Sequence, residues 1–340
     1  LQIASMPGAL TEHVLSARKP LVVAGTHGKT TTSTLLAYLL RQSGVDAGFF
    51  IGGIPLDFER SSRLGEPGAP FVIEGDEYDS AFFEKVPKFW SYRPSAAILT
   101  SIEYDHVDIY PDPAAYLSAF ERFVSLIPED GWLFAWAGDP LVRQVAAKAS
   151  CQLRFYALDG DDCGDVQPFW LGMPTPGGAM DLFGGGSLCG RTKLPLFGRH
   201  NARNSIAALA MASEASGTPL DKSIAALPGF RGSKRRQELV GITNGIEVYD
   251  DFAHHPTAVH ETLSGFRERV RGRLIAVFEP RSATASRRLH QDAYPNAFAP
   301  ADSSFIAPVG RSEIPAEEQL DTGAVADAIV RNGGRAQACG

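Results

Sequence analysis

Short apolar runs alternate with longer amphipathic stretches through the first part of the chain. The apolar runs predict buried strands at residues 21–24, 71–73, 96–100 and 132–135. The amphipathic stretches predict helices at residues 30–42 and 113–126. Strands that alternate with helices predict an α/β fold, in which a mostly parallel sheet is covered by helices on both faces.

The pattern changes further along the chain. Glycines, prolines and short apolar runs at residues 164–194 predict a β-hairpin region appended to the sheet, and helical spacing returns at residues 200–216. A basic, glycine-containing joint at residues 228–234 predicts a domain boundary. After it, a second α/β unit is predicted from apolar runs at residues 246–249, 274–278 and 304–307. We therefore expect a lead-in over residues 1–18, a central domain over residues 19–229 and a second domain over residues 230–340.

Composition narrows the class of protein. The 340 residues carry a formal net charge of -7, so we expect no nucleic-acid partner. The 4 cysteines form no CxxC pair, which disfavours a zinc site or a disulfide framework and favours a reducing compartment such as the cytoplasm. No apolar run approaches the length of a membrane span, so we expect no membrane insertion.

The first candidate site is the turn between the strand at residues 21–24 and the helix that follows it. Loop amides and a helix N-terminus bind polyphosphate, a lysine reaches the outer phosphates and a hydroxyl binds Mg²⁺. Val23 stands where the general pattern has its first glycine. The alternative is an ordinary strand-to-helix turn with surface threonines. The predicted nucleotide-binding residues are Gly25, Thr26, His27, Gly28, Lys29, Thr30 and Thr31.

Two polar segments follow the next predicted strands. Glu74 ends the strand at residues 71–73, and the acidic residues Asp76, Glu77 and Asp79 come after it. One of these carboxylates would complete a Mg²⁺ shell beside the phosphate loop, and the alternative is a solvated acidic turn. His106 follows the strand at residues 96–100 and would bind a second metal or orient a carboxylate, unless it is simply structural.

Asn201 and Asn204 lie three positions apart at the start of the helix at residues 200–216. Their amides share a helix face and suit the polar edge of a purine. The alternative is that Asn201 caps the helix.

Three further segments carry charged or titratable side chains. Arg236 and Glu238 directly follow the basic joint. Asp251, His254 and His255 follow the strand at residues 246–249, without a third histidine or cysteine at metal-binding spacing. After the strand at residues 274–278, clustered arginines suit the binding of carboxylates, with a basic solvated surface as the alternative. The candidates in that last segment are Arg281, Ser282 and Arg287.

Taken in order, these segments resemble the motifs of the Mur ligase family, the ATP-dependent amide-forming enzymes of peptidoglycan synthesis. The family's shortened phosphate loop is similar to residues 25–30, which accounts for Val23. The ordered motifs that carry the resemblance are the phosphate loop, Glu74, Asp105-His106, Asn201-x-x-Asn204, Arg236-x-Glu238 and Asp251-x-x-His254-x-Pro256.

The resemblance implies a P-loop-ATPase-like central domain, a Rossmann-like C-terminal domain, and ATP and Mg²⁺ as cofactors. It implies that Lys29 binds phosphate, that Thr30 and Glu74 bind one Mg²⁺, and that His106 serves a second metal ion. The remaining implied roles are adenine binding by Asn201 and Asn204, ribose binding by Asp251, a γ-phosphate contact by Arg236, a place in the closed cleft for His254 and His255, and weaker contacts to peptide carboxylates by Arg281, Ser282 and Arg287.

Within the family, His254-His255 resembles the branch that acts on UDP-N-acetylmuramate. Residues 74–83 and 278–282 resemble the ligase that adds the murein tripeptide L-alanyl-γ-D-glutamyl-meso-diaminopimelate in peptidoglycan recycling. The alternatives are addition of L-alanine, or a nucleotide-binding fragment without activity of its own. A folate-type or dipeptide-extending ligase fits His254-His255 less well.

We also expect this chain to depart from the family's pattern in three ways. Many members carry a carbamylated lysine after the His106-type residue, and this chain has no lysine at residues 89–147. We expect the family's N-terminal domain, which binds the UDP moiety, to be missing before residue 1. We also expect the last domain to be short at its C-terminus.

Overall fold

The computed structural model describes residues 3–106, 109–311 and 313–340. By contacts the chain divides into two compact units. The first unit takes in Leu1–Tyr104, Ile109–Leu196 and His200–Asp250, and the second takes in Asp105–Asp108, Phe197–Arg199 and Asp251–Gly340. The sequence-based domain limits stay a prediction, and residues 230–250 are counted with the first unit.

The described residues up to position 250 form the following elements. The strands are β1 (Lys19–Ala24), β2 (Gly48–Phe50), β3 (Ser62–Arg63), β4 (Pro70–Gly75), β5 (Asp79–Ala81), β6 (Glu84–Pro87), β7 (Ala96–Leu99), β8 (Trp132–Trp136), β9 (Gln152–Leu158), β10 (Trp170–Thr175), β11 (Ala179–Gly184), β12 (Ser187–Lys193), β13 (Glu238–Thr243) and β14 (Ile246–Asp250). The α-helices are α1 (Met6–His13), α2 (Lys29–Gln42), α3 (Pro113–Ser125), α4 (Pro140–Ala146), α5 (Arg199–Glu214) and α6 (Leu220–Ala226). Short 3-10 helices lie at Leu15–Ala17, Lys88–Ser91 and Leu227–Gly229.

A 10-stranded sheet dominates the described part of the first unit, in the order β12-β11-β10-β9-β8-β7-β1-β4-β2-β3. Neighbouring strands from β10 to β2 run parallel, whereas β11, β12 and β3 are added antiparallel. Because β1 lies between β4 and β7, the carboxyl ends of these three strands open at the same edge. Ligands of parallel sheets bind at such an edge.

The middle of the sheet is buried on both faces, and β1 contributes side chains to the core on each face. Leu21 and Val23 pack in a cluster with residues of α2 and α5, whereas Val22 and Ala24 pack in a second cluster with residues of α3 and α4. Alternate residues of a strand point to opposite faces, so this division follows directly from the apolar run. The predicted fold class, a mostly parallel sheet with an appended β-hairpin region, is confirmed.

The second unit has its own sheet and core. Its α-helices are α7 (Pro256–Arg269), α8 (Tyr294–Ala297) and α9 (Thr322–Arg331), and a 3-10 helix lies at Arg288–His290. Its strands are β15 (Ile275–Phe278), β16 (Ser303–Ile306) and β17 (Ala336–Ala338). They run parallel in the order β15-β16-β17. Phe278, Tyr294 and Ile306 pack in one hydrophobic cluster between the strands and helices.

One predicted strand has a different partner from the one expected. The strand at residues 246–249 is present as β14, but it pairs antiparallel with β13 and belongs to the first unit by contact. The turn between β13 and β14 is Asn244-Gly245, and both residues have positive φ, 50° and 75°. Two such residues favour a tight hairpin turn, which explains the local pairing.

A helix that spans a lipid bilayer needs about 20 mostly apolar residues. No helix among the described residues combines that length with that apolar character.

Candidate active site

The turn after β1 depends on two glycines. Gly25 has φ 130° and Gly28, the N-cap of α2, has φ 82°. A Cβ on Gly25 would lie 2.1 Å from Oγ1 of Thr100, and one on Gly28 would lie 2.7 Å from Oδ1 of Asn204. Both positions therefore require glycine for its conformation and for its small size.

The segment after β7 holds this turn. The backbone amide of Thr26 donates to the carbonyl oxygen of Ser101 at 2.8 Å, and the amide of His27 donates to Oγ of Ser101 at 3.1 Å. The ring of His27 lies 2.8 Å from a carboxylate oxygen of Glu103. The amides of residues 26 and 27 are thus used within the protein. The amides at the start of α2, where Lys29, Thr30 and Thr31 lie, are the ones that an α-helix leaves without helical partners.

Lys29 is buried inside the turn. Its Nζ lies 2.7 Å from the carbonyl oxygen of Gly25, and 2.9 Å and 3.2 Å from the two carboxylate oxygens of Glu77. Burial alone would lower the pKa of Lys29, but the carboxylates of Glu77 and Asp76 outweigh it and raise that pKa above its ordinary value. Lys29 therefore carries a fixed positive charge in the loop.

Thr30 lies between an acid and a base. Its hydroxyl donates to Oε2 of Glu74 at 3.1 Å and accepts from Nη2 of Arg236 at 3.2 Å. The other carboxylate oxygen of Glu74 accepts the amide of Gly52 at 2.8 Å. Residues from β4, α2 and the segment just before β13 therefore meet at one point of the first unit.

The charge state of Glu74 bears on metal binding. Its burial, with the nearby Asp76, raises the pKa of Glu74 to about 7. Burial likewise raises the pKa of Asp76. A buried carboxylate beside a threonine hydroxyl is a donor set that fits Mg²⁺, because a hard cation prefers oxygen ligands and favours the ionised carboxylate.

The asparagines of α5 lie beside the same turn. Asn201 and Asn204 are buried, and Nδ2 of Asn204 donates to Oδ1 of Asn201 at 3.2 Å. Because Asn204 would touch any side chain at position 28, the start of α5 packs against the turn after β1. The first unit thus brings together the phosphate-loop residues, Glu74, Asn204 and Arg236.

The remaining candidates lie in the second unit, and Asp105 organises part of it. Asp105 accepts a hydrogen bond from Oγ1 of Thr284 at 2.6 Å, and Nε2 of His106 lies 3.8 Å from its other oxygen. Burial would raise the pKa of Asp105, but the nearby His106 and the hydrogen bonds from Thr284 and the backbone of His106 lower it to about 2. Asp105 is therefore ionised, and the backbone of His106 has a left-handed φ of 56°.

The Asp251–Pro256 segment forms the start of α7. Oδ1 of Asp251 accepts the amide of Ala253 at 2.8 Å, and Nδ1 of His255 accepts the amide of Thr257 at 3.3 Å as the N-cap of the helix. His255 is buried, and its ring centroid lies 4.4 Å from that of His290. Nδ1 of His254 lies 2.9 Å from the carbonyl oxygen of Phe252.

The three weaker candidates have local partners. Oγ of Ser282 accepts the amide of Ala285 at 3.0 Å. Arg287 pairs with Glu318, while Arg281 is largely exposed and reaches Glu279 only at 4.0 Å. Their proposed contacts to a peptide stay predictions.

Sequence reasoning missed two partners in the first unit. Glu77 was only one of several acids after β4, and its pairing with Lys29 could not be told from the others. The amide of Gly52 fixes Glu74, and the glycine pair after the apolar run at residues 49–51 was the only signal for it.

Two family models together match most of the chain. The Mur ligase middle domain model matches residues 23–212, and the model described as Mur ligase, glutamate ligase domain matches residues 235–338. The chain belongs to the Mur ligase family.

Among curated Mur ligases, the chain is similar to enzymes with two different peptide substrates. It is 37% identical over 311 residues to the UDP-N-acetylmuramate–L-alanyl-γ-D-glutamyl-meso-2,6-diaminoheptandioate ligase of Haemophilus influenzae, covering 90% of this chain and 66% of that protein. The Escherichia coli ligase of the same name is 40% identical over 306 residues, covering 89% and 65%. A UDP-N-acetylmuramate–L-alanine ligase of Roseiflexus is 36% identical over 327 residues, covering 92% and 67%. The chain thus spans about two thirds of the length of these relatives.

Solved Mur ligase structures agree with the fold. The murein peptide ligase of Psychrobacter arcticus matches with a TM-score of 0.71 at 34% identity, covering 100% of this chain and 73% of that one. The UDP-N-acetylmuramate–alanine ligase of Thermotoga maritima matches with a TM-score of 0.73 at 22% identity, covering 94% and 66%, and supports the fold alone.

Proposed function

We propose that the whole protein is an ATP-dependent ligase that joins UDP-N-acetylmuramate to L-alanyl-γ-D-glutamyl-meso-diaminopimelate in peptidoglycan recycling. The observation that carries this proposal is the position of the Thr30 hydroxyl between Glu74 and Arg236, beside the buried charge of Lys29. A phosphate-binding turn, a metal-binding carboxylate and an arginine are the groups that phosphoryl transfer requires.

In this proposal, the helix-start amides and Lys29 bind the phosphates of ATP, and Arg236 contacts the γ-phosphate. Thr30 and Glu74 would hold Mg²⁺, which neutralises phosphate charge when it is bound. Further proposed roles are adenine binding by Asn201 and Asn204, ribose binding by Asp251, a second metal site at His106, positions near the reacting groups for His254 and His255, and peptide contacts by Arg281, Ser282 and Arg287.

The proposed reaction has two steps, formation of an acyl phosphate and formation of the amide. The lactyl carboxylate of the sugar attacks the γ-phosphorus of ATP, forming an acyl phosphate and releasing ADP. The neutral amine of the peptide then attacks the acyl carbon, losing a proton and expelling phosphate as the amide forms. The first step brings two anions together, so the positive charges of Lys29 and Arg236 lower its barrier by electrostatic stabilisation.

The peptide partner is the finer part of the proposal. Residues 74–83 and 278–282 resemble the tripeptide ligase, and the relatives at 37% and 40% identity bear that name. The second candidate is L-alanine addition, favoured by the relative at 36% identity.

A phosphate-release assay tests both levels of the proposal. The full-length protein is incubated with ATP, Mg²⁺ and UDP-N-acetylmuramate, and either tripeptide or L-alanine is added. We expect release that requires UDP-N-acetylmuramate and tripeptide together. Phosphate release with L-alanine but not with the tripeptide would favour the second candidate. ATP binding without substrate-dependent phosphate release would indicate a nucleotide-binding module.

A further inference from the structure

Three carboxylates interact electrostatically with the buried ammonium of Lys29, and each has a different hydrogen-bond partner. Asp76 and Glu77 both act on its charge, and Lys29 in turn acts on the charge of Glu74. Of these acids, Glu77 makes the direct contact, at 2.9 Å and 3.2 Å through its two oxygens.

Glu74 has other partners although it lies only three residues before Glu77. One oxygen of Glu74 accepts the hydroxyl of Thr30 at 3.1 Å, and the other accepts the amide of Gly52 at 2.8 Å. The charged lysine is therefore paired with one acid, and the hydroxyl of the predicted metal site is held by the other.

We propose that Glu77 is a positioning residue of the proposed ligase site, which anchors Lys29 in the loop and keeps its ammonium away from Glu74. This inference rests on the proposed function. Its consequence is that Glu74 stays available, with Thr30, for a divalent cation. Glu77 thereby separates the phosphate-binding cation from the metal-binding anion.

Burial and chain flexibility support this role. Glu77 is fully buried, and its backbone carbonyl accepts a hydrogen bond from the hydroxyl of Tyr110 at 2.7 Å. Both its side chain and its backbone therefore make hydrogen bonds that hold it in place. Lys29 has a flexible four-carbon stem, and loss of one partner leaves the other charge of a buried ion pair uncompensated. Within the described site, Glu74 and Asp76 also interact electrostatically with Lys29, so we expect its ammonium to move towards them when the Glu77 carboxylate is removed.

The test measures ADP binding to the 340-residue chain by calorimetry, with and without Mg²⁺. We expect Mg²⁺ to tighten ADP binding by the wild-type chain. In Glu77→Gln the gain due to Mg²⁺ should shrink by about fivefold or more, since Lys29 then competes for Glu74. Glu77→Asp, which keeps the charge, should retain a larger part of the gain than Glu77→Gln.

Glu214→Gln is the matched control. Glu214 also forms a partly buried ion pair in the first unit, with Arg154 at 3.0 Å, and it accepts from the indole of Trp170. Its partners lie on β9 and β10 rather than in the phosphate-binding turn. We expect this variant to keep the wild-type response to Mg²⁺.

A double-mutant cycle tests whether Glu77 acts through Lys29. In a Lys29→Met background, Glu77→Gln should cause no further loss of the Mg²⁺ effect, because the ammonium that it restrains is gone. An equal loss in both backgrounds would overturn the proposed role.

Thermal unfolding of each variant is recorded alongside, and if Glu77→Gln does not fold, Glu77→Asp decides the question. Wild-type ADP affinities with and without Mg²⁺ in the folded Glu77 variant would overturn this inference alone, as would tighter binding. A wild-type chain that does not bind ADP would overturn the proposed function and this inference with it.

Discussion

The hydroxyl of Thr30 donates a hydrogen bond to Oε2 of Glu74 at 3.1 Å, across 44 positions of sequence. Thr30 lies in the first turn of α2 and Glu74 lies near the end of β4, so the contact joins two elements that reach the same edge of the sheet. This pair is the most specific part of the candidate metal site.

Removing the Thr30 hydroxyl should therefore weaken metal binding. We expect Thr30→Ala to lower the apparent Mg²⁺ affinity by at least ~10-fold, the lower end for loss of an outer-shell partner alone. Thr30→Ser keeps the hydroxyl and should stay close to the wild type. Mn²⁺ binding followed by electron paramagnetic resonance measures the change, and equal affinities in the two variants would contradict the assignment.

The close approach of Gly28 to Asn204 gives a second prediction. A Cβ at position 28 combines a left-handed backbone with a contact at 2.7 Å, so Gly28→Ala should destabilise the fold by more than the ~1–2 kcal/mol cost of backbone conformation alone. It should also weaken ADP binding, because Asn204 must move.

Gly44→Ala separates these two effects. Gly44 has a similar φ of 88°, and a Cβ there would meet nothing within 4 Å. We expect it to show the conformational cost in urea unfolding with wild-type ADP affinity. Equal stabilities and equal affinities of the two alanine variants would show that the Asn204 contact is unimportant.

The raised pKa of Glu74 predicts that ionisation of this carboxyl group lowers the stability of the fold. Burial raises this pKa from 4.5 to about 7, so the stabilising contribution is present below the unfolded value and is lost as the pH rises through about 7. Without Mg²⁺, the free energy of unfolding of Glu74→Gln should rise relative to that of the wild type as the pH goes from 5 to 8, by on the order of 3 kcal/mol. Denaturant unfolding at both pH values measures this, and a constant difference would refute the shift.

Asp105 should behave in the opposite sense. Its pKa is lowered from 3.8 to about 2, so its contribution is present above the unfolded value and is lost as the pH falls through about 2. At pH 7 we expect Asp105→Asn to cost about 2 kcal/mol of unfolding free energy. The gap to the wild type should narrow between pH 4 and pH 2, and an unchanged gap over that range would argue against the lowered pKa.

The parts of the site that sequence predicted well are those built from adjacent residues. The turn at residues 25–30 and the strands before Glu74 and His106 follow from short-range patterns of glycine and apolar residues. The pairing of Lys29 with Glu77 was not predictable, because an acidic run does not reveal which carboxylate turns inward. The bonds from Thr26 and His27 to Ser101 depend on the alignment of β1 with β7, which local patterns do not encode.

The pairing of β14 illustrates the same limit for the fold. Its apolar run was recognised, but the run alone did not distinguish a parallel sheet from a local hairpin. The Asn244-Gly245 turn decided the pairing, and an asparagine–glycine pair between two apolar runs is a signal that could have found it.

The position of β1 between β4 and β7 places the candidate chemistry at the edge of strands from the interior of the sheet. The turn, Glu74 and Ser101 follow three neighbouring strands, and β1 is hydrogen-bonded to both of the others, so separating β1 from the sheet would disturb all three. Partial opening of the molecule that spares this edge would leave the site assembled, whereas an intermediate that loses the middle of the sheet would lose every one of these groups at once.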